Sequence, residues 1–161
     1  MSSFVAGRLK YYLPQWQKIT TDQSILTCVT GYEIEFDEQK PIIYSKSKST
    51  YTPLNKSEEK LLELELEKLL GKQVLEETFH TEGEFISPVF LTPKPDGSFR
   101  MILNLKNLNK SVKYYHFKMD TLQAALRLME PQGFMASIDL KDAYYSVPVA
   151  NTSRKYLRFL Y

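Results

Sequence analysis

The sequence predicts an α+β fold in which short strands and amphipathic helices share one apolar core. Three observations carry that reading. A capped helix with a leucine stripe spans about Ser57 to Leu70. Two apolar runs, Pro88–Thr92 and Phe99–Leu103, flank a Pro95-Asp96-Gly97 turn. A second helix near Asp120 leads into a short apolar stretch that stops at Asp139. The chain divides accordingly into a leader over 1–52, a helix-and-hairpin region over 53–133 and a βα segment over 134–161.

Each element has a local cause. In the leader, Thr21 or Asp22 caps a short helix that runs through Val29 and stops at Gly31. Tyr32-Glu33-Ile34-Glu35-Phe36 alternates with the period of a strand, and Lys46–Thr50 is a polar linker. Asn55 with Glu58 makes a capping box for the main helix, and Gly71 supplies its stop. Leu62, Leu66, Leu69 and Leu70 share one face of that helix, which makes it a packing element. Pro95 presets φ and Gly97 accepts a positive φ, so the flanking strands fold back as a hairpin. Asp120 caps the second helix and Gln123 closes its box. Leu122, Leu126 and Met129 face inward until Pro131 and Gly133 end it. Phe134–Ile138 then reads as a short buried strand and Tyr156–Leu160 as another, within which the sequence stops at Tyr161. The expectation is a domain that continues in a longer parent protein.

Composition sets outer bounds. With 161 residues, 43% hydrophobic and 25% charged, the chain has the balance of an ordinary globular protein and enough length to bury a core. A single cysteine, Cys28, excludes an internal disulfide framework and fits a reducing compartment. The first residues lack the basic, apolar and small-residue order of a secretory signal, so the expected location is intracellular, cytoplasmic or nuclear, and not secreted. No apolar run approaches the roughly 20 residues that span a bilayer, so no membrane partner is expected.

Charge is segregated along the chain. Ser57 to Ile86 holds nine Glu against Lys60, Lys68 and Lys72, a net of −6. Ser87 to Lys118 holds Lys94, Arg100, Lys106, Lys110, Lys113 and Lys118 against Asp96, a net of +5. Either both runs are solvated faces, or the second is a surface for a polyanion with the acidic helix turned away from it.

Chemistry concentrates in two segments. Asp139 ends the apolar stretch and Asp142 follows three residues on. Magnesium takes hard oxygen ligands and is held by one or two carboxylates plus substrate phosphates. The spacing taken alone equally fits a turn residue and a helix cap, and alone it favours that plainer reading. Lys94 and Arg100 stand on opposite arms of the hairpin turn. A lysine point charge and an arginine fork can grip adjacent phosphates, or they are two surface cations.

Taken together the two segments are far more specific. Ser87-Pro88-Val89-Phe90-Leu91-Thr92-Pro93-Lys94-Pro95-Asp96-Gly97-Ser98-Phe99-Arg100-Met101-Ile102-Leu103-Asn104-Leu105-Lys106-Asn107-Leu108-Asn109-Lys110 resembles the fingers of reverse transcriptases. Ile138-Asp139-Leu140-Lys141-Asp142-Ala143-Tyr144-Tyr145-Ser146-Val147-Pro148, followed by Arg154-Lys155-Tyr156, resembles the first catalytic motif of their palm. The resemblance covers about Leu61 to Tyr161. The leader, through Gly7-Arg8-Leu9, Trp16, Ile19-Thr20 and Gly31-Tyr32, is similar to the region ahead of the polymerase in tyrosine-recombinase (DIRS-like) retroelements, a match at scattered positions.

The resemblance implies a fold and roles. The fold is the reverse-transcriptase right hand, represented by fingers over 53–133 and the first palm strand within 134–161, and incomplete at its C-terminal side. Asp139 would be the catalytic, metal-binding carboxylate, with Leu140 adding its backbone carbonyl to two Mg²⁺ ions, or Mn²⁺ in their place. Asp142, Ala143 and Tyr144 would lie under the incoming deoxynucleoside triphosphate, with backbone N–H groups toward its phosphates and the Tyr144 ring where a ribose 2′-OH would sit. Lys94 and Arg100 would hold the triphosphate. Lys106, Asn109 and Lys110 would contact the backbone of an RNA or DNA template paired with its primer.

The family completes its metal site with a Tyr-x-Asp-Asp hairpin further along, and no Asp or Glu follows Asp142 in this sequence. The expectation is that this chain alone does not polymerise and works with the rest of a polymerase encoded downstream. The alternative is a non-enzymatic nucleic-acid-binding remnant of a retroelement.

Overall fold

The computed structural model describes residues 4–38, 55–95, 97–130 and 132–161. The Lys46–Thr50 linker, Asp96 of the hairpin turn and Pro131 lie outside the described residues. In chain order the helices are α1 (Leu13–Trp16), α2 (Gln23–Gly31), α3 (Lys56–Gly71), α4 (Leu122–Arg127) and α5 (Asn151–Arg154). Strands β1 (Val89–Pro93) and β2 (Phe99–Leu103) lie between α3 and α4. Short 3-10 turns occupy Arg8–Tyr12, Leu108–Lys110 and Ala143–Ser146.

The core rests on α3. Asn55 Oδ1 accepts from the N–H groups of Ser57 and Glu58, both at 3.0 Å, and Glu58 Oε2 accepts from Asn55 N–H at 2.8 Å. The capping box thus satisfies donors that a helix start leaves without partners. Leu62, Leu66 and Leu69 are buried, whereas Leu70 is 36% exposed. At 3.6 residues per turn Leu70 sits about 80° around the helix from Leu62, at the margin of the stripe. The stop also differs from expectation. Gly71 stays helical, and Gln73 takes the left-handed position at φ 57.

The hairpin forms where its turn residues dictate. Gly97 has φ 78, its N–H donates to Lys94 O at 3.1 Å, and Lys94 N–H donates to Ser98 O at 2.8 Å. The antiparallel register pairs Val89 with Leu103, Leu91 with Met101 and Thr92 with Arg100. The alternation of strand side chains then sorts the faces. Val89, Leu91, Met101 and Leu103 pack with Leu62 and Leu66 of α3, and Leu75 and Phe159 close the cluster.

The leader is fastened to the rest of the chain in three places. Ala6 N–H donates to Lys72 O at 2.9 Å and Gly7 N–H to Tyr145 O at 2.7 Å. Tyr32 exchanges backbone hydrogen bonds with Pro148 and Ala150, and Ile34 N–H donates to Ser153 Oγ at 2.9 Å. Asp37 N–H donates to Ser111 O and Lys113 N–H to Glu35 O. The Tyr32–Phe36 strand is therefore replaced by two isolated bridges, to Val149 and Val112. Its two ends pair with segments far apart in sequence, so no continuous ladder can form. In α2 the cap is Asp22, whose carboxylate accepts from Ser24 N–H at 2.8 Å.

The later segments depart most from the sequence reading. Thr121, not Asp120, caps α4, its hydroxyl accepting from Ala124 N–H at 3.2 Å. Leu122, Leu126 and Met129 are exposed rather than inward, because no described element covers that face. Phe134–Ile138 forms no strand, and Phe134 and Ile138 are exposed. A ladder needs a neighbouring strand to accept it, and none lies alongside among the described residues. Tyr156–Leu160 makes a single parallel bridge, Arg158 to Ile86. Arg158 also reaches Thr81 Oγ1 at 2.9 Å and Glu84 Oε2 at 2.5 Å, which ties this segment to the one before β1.

Candidate functional site

Two clusters of sequence-predicted residues emerge, one on a turn and one on the hairpin. The turn begins at Asp142, whose backbone is left-handed at φ 57 and ψ 27. Ala143–Ser146 follows as a 3-10 turn, with Tyr145 N–H donating to Asp142 O at 3.1 Å and Ser146 buried. Aspartate is among the few residues with a side chain that enter this backbone region readily. The Asp142 carboxylate does not cap its own turn. It accepts from Lys72 Nζ at 2.6 Å, with both side chains mostly withdrawn from solvent. That hydrogen bond, backed by the charges of Lys72, Lys141 and Lys68, holds the carboxyl below its ordinary range against the opposing effect of burial.

Asp139 and Asp142 thus have different surroundings despite their spacing. Asp139 and Leu140 are exposed, while Asp142 is half-buried and committed to Lys72. Ala143 is half-buried, and the Tyr144 ring stands in solvent at 94% exposure. Among the described residues no group of three or more His, Cys, Asp or Glu comes together as a metal cage. Asp139 and the Leu140 carbonyl are hard oxygen donors of the type that suits magnesium, but the described residues do not by themselves close a site around it.

On the hairpin, Arg100 is exposed and lies opposite Thr92, on the face turned away from α3. Lys94 follows two residues after Thr92, and its backbone closes the turn. Neither cation pairs with a carboxylate among the described residues. The net positive hairpin and the exposed glutamates of α3 are therefore separated by the shared apolar layer. Lys106, Asn109 and Lys110 are all exposed around buried Leu108, whose side chain anchors their turn. Lys106 N–H donates to Asn104 Oδ1 at 3.1 Å and Lys110 Nζ to Asn107 Oδ1 at 3.1 Å. Lys113 belongs to a different group. It pairs with Glu35 of the leader at 3.1 Å, and bonds with Tyr115 and Glu35 raise its pKa.

Lys94 and Arg100 stand on one hairpin, and Asp142, Ala143 and Tyr144 follow one another on one turn, but no described hydrogen bond or ion pair joins the two groups. Sequence reasoning missed Lys72 and the leader residues Ala6 and Gly7. The available signal was weak: an isolated cation just after a helix stop, in a strongly acidic stretch.

No protein-family model matches the chain. Over 72 residues, 45% of its length, it is 31% identical to the transposon Tf2-3, Tf2-4 and Tf2-5 polyproteins of Schizosaccharomyces pombe. The matched stretch spans 5% of each of those polyproteins. This similarity supports a retroelement origin for the chain. No helix among the described residues is long and apolar enough to cross a membrane.

Proposed function

We propose that the chain is the nucleotide-facing part of a retroelement reverse transcriptase, the fingers and the first palm motif of an RNA-directed DNA polymerase. The observation that carries the reading is one chain that holds both a hairpin whose two cations have no carboxylate partner among the described residues and, after Asp139, a turn that presents Tyr144 to solvent. Both stand in segments that resemble the corresponding polymerase motifs, and the similarity to transposon polyproteins supports a retroelement origin.

In this reading Lys94 and Arg100 bind the triphosphate of an incoming deoxynucleotide, and Arg100 orients it through a forked pair of hydrogen bonds. The Asp142–Tyr144 backbone supports the nucleotide, and the Tyr144 ring excludes a ribose 2′-OH. Lys106, Asn109 and Lys110 hold the template through its backbone, whose charge makes binding independent of sequence and sensitive to salt. Asp139 and the Leu140 carbonyl serve as oxygen ligands, and magnesium, when bound, would neutralise charge on the transferring phosphoryl group. Further carboxylates would come from a part of the polymerase that this sequence does not contain.

The test joins this chain to a palm that carries a Tyr-x-Asp-Asp hairpin. Asp139→Asn is expected to abolish primer extension while template affinity is kept. Tyr144→Ala is expected to admit ribonucleotides, and Arg100→Ala to weaken nucleotide use more than template binding. Extension by the Asp139→Asn protein would overturn the assignment. Template binding without any nucleotide dependence on Lys94, Arg100 or Tyr144 would favour a nucleic-acid-binding remnant, the reading that the basic hairpin region also permits.

A further inference from the structure

We infer that Lys72 is the positioning residue of the Asp142–Ser146 turn, that it keeps the Asp142 carboxylate away from the surface where a phosphate would rest, and that leader residues 4–7 hold it there. Its functional part rests on the reading of this turn as the nucleotide platform; the bracing does not.

The argument starts from what an aspartate at this place would otherwise do. An aspartate at the start of a helical turn ordinarily accepts from the N–H groups two or three residues on. Asp142 makes no such bond, because Lys72 Nζ takes its carboxylate at 2.6 Å instead. Lys68 and Lys141 act on it only through space. Without Lys72 the nearest donors for the carboxylate would be the first N–H groups of its own turn, which have no partner within a 3-10 helix. A negative charge would then stand among the groups that the nucleotide reading assigns to phosphates.

Lys72 is itself gripped on two sides. Its carbonyl accepts from Ala6 N–H at 2.9 Å, and the next N–H along the leader, Gly7, donates to Tyr145 O at 2.7 Å. Two consecutive amides therefore fasten the end of α3 and the turn to one another, flanking the ion pair. Gly7 is left-handed at φ 68, and a Cβ there would stand 3.3 Å from Pro148 Cβ, so a side chain at this crossing would be strained. The Phe4 ring lies under two cations, 4.9 Å from the Arg8 guanidinium carbon and 5.7 Å from Lys72 Nζ. The leader, a segment without an evident role in the sequence, becomes the strap that sets the turn.

The test uses the 161-residue chain itself. Backbone amide resonances of Ala143, Tyr144 and Tyr145 are compared in the wild type, Lys72→Met, Lys72→Arg and Lys141→Met. Lys72→Met is expected to shift all three as the carboxylate swings onto the turn, Lys72→Arg to restore them in large part, and Lys141→Met to leave them in place. Unchanged resonances in Lys72→Met would overturn the inference, whatever happens to its melting temperature. Should Lys72→Met fail to fold, the wild type decides by the scalar coupling across the Lys72 Nζ–Asp142 Cγ hydrogen bond, and its absence would overturn the bracing. Titration with dATP reads the functional part. Lys72→Met is expected to weaken binding roughly tenfold, the scale of one charge contact at a part-buried site. Lys72→Met combined with Asp142→Asn is expected to recover it, because the displaced group is then neutral; no recovery, or an equal loss in the binding of uncharged deoxyadenosine to Lys72→Met, would overturn the functional part. If the wild type binds no dATP, the nucleotide reading of the turn fails, and the amide resonances still decide the bracing.

Discussion

At the scale of single residues, the contrast between Asp139 and Asp142 matters most. They are three residues apart and of one type, yet one is exposed and the other is held by Lys72. The difference has a pH signature. The Lys72 hydrogen bond lowers the Asp142 pKa below its ordinary 3.8. A carboxyl whose folded value is depressed contributes stability that is full above its unfolded value and fades as pH falls through the folded one. The stability difference between the wild type and Asp142→Asn is therefore expected to be flat from neutral pH to about pH 5 and to shrink below 3.8. Chemical denaturation across that range measures it, and a difference that stays constant down to pH 2 would contradict the pairing. The motif marked Asp142 as a candidate site residue. Its partner was not legible, because Lys72 lies 70 residues earlier and nothing local marks it.

At the scale of elements, what the sequence revealed was what local physics decides. The α3 capping box and the hairpin each depend on residues within a few positions of one another, and both formed as expected. Elements whose identity depends on a distant partner did not. Tyr32–Phe36 had the alternation of a strand but two separate neighbours, and Phe134–Ile138 had the composition of a buried strand but no strand beside it among the described residues. The end of α3 is the instructive local miss. Gly71 was available, but Gln73 takes the left-handed position, and a residue with a Cβ is disfavoured there by about 1–2 kcal/mol. Gln73→Gly is expected to raise stability by up to about 1 kcal/mol once the larger entropy of an unfolded glycine is deducted. At the other end of the helix Asn55→Ala is expected to lower it by about 1 kcal/mol. Thermal unfolding of the two variants measures both, and a destabilised Gln73→Gly would mean that the Gln73 side chain contributes more than its backbone costs.

At the scale of the whole molecule, the apolar layer between α3 and the hairpin separates two charge fields, and this converts a nearly neutral chain into one with a polar sense. The formal net charge is +2, too small to draw a polyanion by itself. Arg100 on the hairpin and Lys106 and Lys110 in the segment that follows it are nevertheless all exposed, and so are the α3 glutamates at 59, 63 and 67 on another element. If the hairpin side holds a nucleic-acid backbone, binding releases counterions, and the logarithm of affinity falls linearly with the logarithm of salt, by about 0.7 per neutralised phosphate for a single strand. Binding of the chain to an unstructured oligonucleotide is expected to follow such a line with a slope of about −2, set by these three cations. Lys106→Ala is expected to flatten the slope by about 0.7 and to weaken binding alike for every sequence. Glu63→Gln on α3 should leave the slope unchanged, because that residue lies beyond the apolar layer. A flat salt response, or an equal effect from Glu63→Gln, would mean that the separation of charge along the sequence serves only to keep each face in water.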